Sequence, residues 1–598
     1  MVEGSLRDEA MVAAPSIAPA LRRIWFFALV ALSLAGLIWL LVTALSVGGF
    51  SAVDLVLVIL FAVTLPWYVI GFWNAMIGLV IMRFARDPVA LVTPAAARVR
   101  GDEPITASTA ILLCSRNEAP ERVLRHATPL IDGLVARGVA GRFHVYLLSD
   151  TDDPAVAAAE DTCFAELERT WRDRISLTFR RRLKNTGFKA GNVSDFCERW
   201  GRNHDLAVVL DADSVMTADA VLRLVRVMQA DRRLGILQSL VAGLPSTSAF
   251  ARIFQFGMRL GMRSYTIGSA WWQGDCGPYW GHNAIIRIEP FMAHCHLPIM
   301  PERALIGGHV LSHDQVEAVL MRRAGYEVRV LPEEGASFEQ NPPTLIEFIG
   351  RDLRWCQGNM QYWHFLFLPD LKAMSRYQLV FALLMFLGSP AWIGLLVIGT
   401  AAVAYAGTPE RFIHADAGLA LLILVLVMWF APKIATVIDV LTRPNLRRAF
   451  GGGFRFIAGV VTETIFFLLL APIMWVSHTL FLGRLLLGRS IGWRVQARDD
   501  HKVPLRLALR QLWPHTVLGL WSVVVLGLTV PAAIPYALFI AGGPLLSIPL
   551  AMLTASPAVG RALMRVGLGR LPEETAPPPE LHGLALPAIQ LTASPQRT

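Results

Sequence analysis

Asp211 and Asp213 stand one residue apart at the end of an apolar run, LAVVLDADSV (206–215). Apolar residues leading straight into two carboxylates read as a buried strand of a parallel sheet. At its C-terminal end the chain turns, so both acids can converge on one point. A Mg²⁺ or Mn²⁺ ion that also grips a diphosphate needs that arrangement, few carboxylates with sites left open for phosphate oxygens. Aspartate is also common in plain turns, so the pair needs company. Glu118 and Asp150, the latter in LLSDTDD (147–153), follow two other apolar runs, and Asp150 reads either as a nucleobase contact or as a helix cap. The stretch RRLKNTGFKAGNVSDF (181–196) reads as a nucleotide-contacting loop. In it Gly187 and Gly191 permit close backbone approach, Lys189 reaches a phosphate and Asn192 caps the following helix.

The elements that must hold these residues follow from periodicity. Short apolar runs at 109–114, 143–149, 175–179, 206–210 and 235–240 alternate with amphipathic stretches such as 121–137 and 154–172. Strands alternating with helices predict a parallel, Rossmann-like sheet with its ligand at the carboxyl ends of the strands, where these acids fall. Around this segment the chain is strongly apolar. Of its 598 residues 54% are hydrophobic and only 17% charged, against about 25% charged in soluble proteins. Apolar runs at 24–47, 53–82, 379–405, 417–440, 512–533 and 534–554 predict spans, and the polar residues gather between about 83 and 376. The run 456–483 is ambiguous. A single crossing would carry the arginines from Arg484 to Arg510 to the far side, whereas Pro472 suggests a broken, re-entrant or interfacial element.

The net charge of +9 needs no nucleic acid, because the arginine clusters flank apolar spans. Their asymmetry places the N-terminus and the polar segment in the cytosol, where all six cysteines are expected to be free. The expected organisation is a tail at 1–21, two spans within 22–83 and an α/β domain at 84–376. A second membrane region follows at 377–556 with a cytosolic loop at 484–511, and then a Pro-rich, largely disordered tail at 557–598.

The order of these parts resembles the processive membrane glycosyltransferases of family 2, the group with cellulose and hyaluronan synthases. GHNAIIR (281–287), LSHDQVEA (311–318), RDLRWCQGN (351–359) and GW with QxRDD (492–500) narrow the resemblance to the glucosyltransferase H family of osmoregulated periplasmic glucan synthesis. It implies a polytopic α-helical membrane protein with a cytosolic GT-A domain in the bacterial inner membrane, using UDP-glucose to build a β-glucan, β-1,2-linked, and passing it outward. It also implies Asp150, Lys189, Asn192, Asp211, Asp213, Arg351 and Arg354 at the donor, Asp314 as the base and Trp355 as a sugar platform. An acyl carrier protein and a periplasmic glucan-modifying protein are the partners it implies, besides the growing glucan and the bilayer. The chain departs from the broader pattern at Arg351, where QxxRW has glutamine, and at His313, where the acid pair has glutamate.

The chemistry is coherent on its own terms. Displacing UDP from an α-linked sugar needs positive charge on the leaving diphosphate, which a metal on Asp211 and Asp213 together with Arg354 would give. The attacking hydroxyl needs a base. Asp314, in the first turn of a helix expected at 313–324, is kept ionised by the helix dipole. One base and no covalent nucleophile imply inversion. Trp271, Trp272, Tyr279 and Trp280 are read as an acceptor wall in preference to interfacial anchors, with His282 and Asn283 reaching acceptor hydroxyls. Trp363 and Phe365 are read as packing. The segment 492–500 is either a cap over the donor or a surface loop, and Glu463 in its apolar stretch either lines a channel or contacts a helix. Rival readings are another processive synthase, of cellulose, hyaluronan or chitin type, and a transporter or sensor with a degenerate nucleotide-binding domain.

Overall fold

The computed structural model describes residues 18–301, 306–491, 497–584 and 586–589. The expected N-terminal tail thus lies almost wholly outside the described residues.

Among the described residues, ten strands form two sheets: β1 Thr109–Ser115, β2 Phe143–Ser149, β3 Ser176–Arg181, β4 Leu206–Asp211, β5 Ser214–Met216, β6 Leu234–Ser239, β7 Ala242–Gly243, β8 Ala284–Arg287, β9 Glu327–Leu331 and β10 Ser337–Glu339. The larger sheet has the order β3-β2-β1-β4-β8-β6-β9. Period-2 alternation feeds two cores: Ile111, Leu113, Val208 and Leu210 face the helices Pro120–Ala136, Pro154–Trp171 and Ala218–Ala230. Leu112, Leu148, Val209 and Ile286 face Phe188–Trp200, Ile288–His294 and Asp314–Arg323. The sheet is not wholly parallel, as alternation alone predicts. Ala284 pairs with Val209 and with Gln238, so β8 starts at the end where β4 and β6 finish and runs back antiparallel between them. The small sheet, β5-β10-β7, stands directly behind the turn that carries Asp213.

Among the described residues, six helices are long and apolar enough to cross a membrane: Pro19–Leu45, Ala52–Phe84, Ala373–Ala406, Ala415–Thr442, Gly453–Leu486 and Leu505–Thr529. The segment expected to span at 534–554 is a pair, Pro531–Leu545 with Ser547–Thr554, bent by 55°, which together are apolar enough for one broken span or a re-entrant loop. Pro544, which has no backbone N–H to donate, sits at the end of the first half.

The domain is seated on these helices by Ala249–Gln273, which meets Ala52–Phe84 backbone to backbone. A Cβ at Gly268 would fall 1.9 Å from the Asn74 carbonyl oxygen, and one at Gly78 1.8 Å from that of Ser264. Only glycine allows that approach. Arg23 closes the far end, donating to Gln273 O (2.6 Å) and Asp275 Oδ1 (2.7 Å).

Gly453–Leu486 is one helix, unbroken at Pro472. Both its ends lie against the α/β domain's own elements. Phe456 clusters with Phe256, and Phe481 and Leu485 with Cys356 and Met360 of the helix Leu345–Met360. The chain after it returns to the carboxyl ends of the strands, where Arg498 pairs with Asp213 and Glu118. Within it Glu463 pairs with Lys433 Nζ at 2.7 Å, a contact between helices.

The C-terminal tail, expected to be disordered, is packed as far as residue 589. Leu581, Leu584 and Ile589 are buried on β5 and β10, and Glu574 forms an ion pair with Arg252 with both side chains fully buried. Proline-rich composition hid apolar residues spaced to cover one face. The six cysteines are free.

Candidate active site

Asp211 closes β4, and its backbone N–H donates to Ser214 Oγ at 3.0 Å, fixing the turn that presents both acids. Lys189 is in the first turn of Phe188–Trp200. The KAGN segment is therefore helix, not loop, entered through Gly187 at φ +73°. Gly191 is needed there, because a Cβ would lie 2.0 Å from Thr186 O. From this turn the Lys189 ammonium grips Asp211 and donates to Gly281 O at 2.7 Å. Gly281, at φ +77°, is packed so tightly on the next acid that a Cβ would lie 3.2 Å from that of Asp314. Asp211, Lys189, Gly281 and Asp314 thus form one contiguous group. Burial would raise the Asp211 carboxyl, but Lys189, His282 and His313 outweigh it and hold it below its ordinary value. Burial likewise opposes charge on His313, yet Glu317, at 2.9 Å, raises its pKa.

Asp213 is engaged by Arg498, whose Nη1 donates to Asp213 Oδ2 at 2.6 Å and whose Nη2 donates to Glu118 Oε1 at 3.2 Å. Burial, more than its neighbours, raises the Glu118 carboxyl. Of the segment 492–500, residues 492–496 lie outside the described residues, while Asp499 pairs with Arg122 at 2.8 Å and Gln340 Nε2 donates to Arg498 O at 3.0 Å. Its described part, 497–500, is docked over the strand ends through Arg498 and Asp499.

On Leu345–Met360, Arg351 lies over the Trp355 ring, 4.7 Å from its centroid, and Trp355 is 47% exposed. Burial lowers the pKa of both Arg351 and Arg354, and Arg498 presses on each. Arg351 also feels the Asp213 and Glu339 carboxylates, and Arg354 feels the like charges of Arg351 and Arg498. Trp363 is also exposed, while Phe365 is buried as packing.

Other residues expected at a ligand are spent on the fold. Asp150 is buried, with both carboxylate oxygens held by Arg182 (2.7 and 2.6 Å), so it acts on a ligand only through that guanidinium. Asn192 caps nothing. Buried, it accepts from Arg180 (2.7 Å) and donates to Leu148 O (3.0 Å), tying its helix to β2. Asn283 has no exposed surface and donates to Ser337 Oγ and Phe338 O, beyond reach of an acceptor hydroxyl. The aromatics around it form no single wall. Trp272 stacks on Phe26 at 3.9 Å, Tyr279 is core, Arg22 lies over Trp271, and Trp280 packs on the cluster of Ile81 and Val92. Trp271, Trp272 and Trp280 seat the domain on the membrane helices. His282 stays half-buried, 3.6 Å from Glu339. Arg498, Arg182 and Glu339 were not singled out. Only RDD in QxRDD hinted at the first, and nothing in the sequence marks the other two.

The donor set suits a divalent cation that also holds phosphate. Asp211 and Asp213 offer hard carboxylate oxygens at one turn, each now balanced by a cationic side chain. Among the described residues no group of three or more His, Cys, Asp or Glu could enclose a metal unaided.

An α/β sheet with its acids at the strand ends, seated on apolar helices, defines a membrane glycosyltransferase. A family profile described as "Glycosyl transferase family group 2" matches residues 206–438. Proteins called "Glucans biosynthesis glucosyltransferase H" match over most of the chain. That of Xanthomonas campestris pv. campestris is 33% identical, covering 96% of this chain and 90% of its own. That of Vibrio cholerae is 35% identical over 92% and 76%. The chain belongs to this family and is a glucan-biosynthesis glucosyltransferase. A mannosyltransferase from Pyrobaculum calidifontis solved with GDP-Man and Mn²⁺ covers 62% of this chain and 99% of its own, at 16% identity and a TM-score of 0.36, an overlap too low to carry argument.

Proposed function

We propose that this chain transfers glucose from UDP-glucose, with inversion, onto a growing β-glucan at the cytosolic face of the inner membrane. The observation that carries the reading is the Lys189 ammonium between Asp211 and the Gly281 carbonyl, with Asp314 packed on that same glycine. It supports a site with donor and base side by side.

Asp211 and Asp213 would hold Mg²⁺ or Mn²⁺, which when bound supplies charge neutralisation to the departing diphosphate. Lys189, Arg351 and Arg354 add fixed positive charge at the same place. Asp314 takes the proton of the acceptor hydroxyl as the sugar–oxygen bond forms on the face opposite the leaving UDP, so an α-donor gives a β-product. Trp355 offers a flat apolar face to an acceptor ring. The β-1,2 linkage rests on family resemblance alone. Export likewise rests on the family resemblance; a cavity of about 280 Å³ lies among the membrane helices, lined by Trp67, Trp392, Trp429 and Trp475 and reaching Asp352 next to Arg351.

The test is product analysis with purified protein, Mg²⁺ and a panel of labelled nucleotide sugars. A β-linked glucan from UDP-glucose is expected. Incorporation from another nucleotide sugar in preference, or an α-linked product, would overturn the reading.

A further inference from the structure

The small sheet behind the site has two differently occupied faces, as strand alternation requires. Ser214 and Glu339 point toward the reaction centre: Ser214 Oγ accepts from the Asp211 N–H, and Glu339 faces His282. Val215 and Phe338, their neighbours, point away and are covered by the C-terminal segment, on which Leu581, Leu584 and Ile589 are buried. Glu580 Oε1 accepts the Ala218 N–H at 3.1 Å, at the start of the helix that follows β5. The segment is fastened further back, where Glu573 pairs with Arg259 and Glu574 with Arg252 on the helix that seats the domain on the membrane.

From this we infer that residues 572–584 with 586–589 are a positioning strap, which holds the turn carrying Asp211 and Asp213 in metal-binding geometry by backing the sheet from which that turn springs. The inference rests on the metal reading proposed above. Groups that hold a metal's ligands from behind change affinity by roughly 10–100-fold when removed, with less effect on saturated turnover.

The experiment uses the full chain in lipid nanodiscs, following free Mn²⁺ by its EPR signal and turnover against Mn²⁺. The double variant Leu581→Ala/Leu584→Ala should weaken Mn²⁺ binding about tenfold while keeping most of its turnover at saturating Mn²⁺. Glu580→Gln keeps an acceptor for Ala218 but loses the charge. It should weaken binding about threefold, and it decides the matter if the double variant does not fold. Leu167→Ala, an equal apolar truncation in the core beside β2 and β3, should lower the melting temperature without moving the Mn²⁺ constant. Folded strap variants with the wild-type Mn²⁺ constant would overturn the inference alone, as would an equal shift in Leu167→Ala. A wild type indifferent to divalent cations would overturn the metal reading and the strap with it.

Discussion

At the residue scale, cationic side chains stand where a cation would act. Arg498 holds Asp213 through a charged hydrogen bond of 2.6 Å, so metal and guanidinium compete for one carboxylate. Arg498→Gln is therefore expected to tighten Mn²⁺ binding to the donor-free protein about tenfold, one pKa unit's worth of interaction, as measured by Mn²⁺ titration without nucleotide. Weaker or unchanged binding would mean that the pair does not compete. The acids themselves were legible in the sequence, because a buried strand ending in DAD and an acid opening a helix are local patterns. Their partners were not. Arg498 comes from 285 positions further along than Asp213, and no local pattern announces such an encounter. Asn192 and Asn283 misled for the converse reason: a polar residue in a motif reads as a ligand contact, yet here each satisfies buried backbone groups.

At the element scale, β2 begins and ends where its apolar run does, and β4 extends its run by one residue, because strands buried on both faces are continuous in the sequence. The strands β8 and β9 and the small sheet, of two to five residues, are too short to show a period and were missed. The helix Asp314–Arg323 carries a pH-dependent prop. His313, which precedes it, has its pKa raised above the ordinary 6.5, with Glu317 outweighing the opposing effect of burial. A raised value stabilises the fold fully below about 6.5, and the contribution is lost as pH rises through the folded-state value. Melting temperature should accordingly fall with rising pH above that point, and Glu317→Gln should flatten the dependence; an unaltered profile would exclude the pair as its source. The seat of the domain makes a sharper demand. Gly268→Ala places a Cβ against backbone, costing about 1–3 kcal/mol or more by overpacking, visible as a lowered melting temperature. No change in melting would show that the two helices can part at no cost.

At the scale of the whole molecule, hydropathy located the membrane helices but not the course of Gly453–Leu486. Length and composition cannot distinguish a helix that crosses from one that stays alongside the domain. The buried Lys433–Glu463 pair binds that helix to Ala415–Thr442. Glu463→Gln alone should cost roughly 3–5 kcal/mol by stranding the ammonium, and Lys433→Met with Glu463→Leu should restore most of it, read from thermal unfolding in detergent. Failure of the double variant to recover would assign the pair a role beyond packing.

The proposed transfer requires Asp314 to act on the acceptor beside a donor held at Asp211 and Asp213. Asp314→Asn, assayed for Mn²⁺-dependent UDP-glucose binding by calorimetry and for glucosyl transfer, should bind the donor as the wild type does and lose roughly 10²–10⁴-fold in turnover. Turnover within a few-fold of wild type would contradict it.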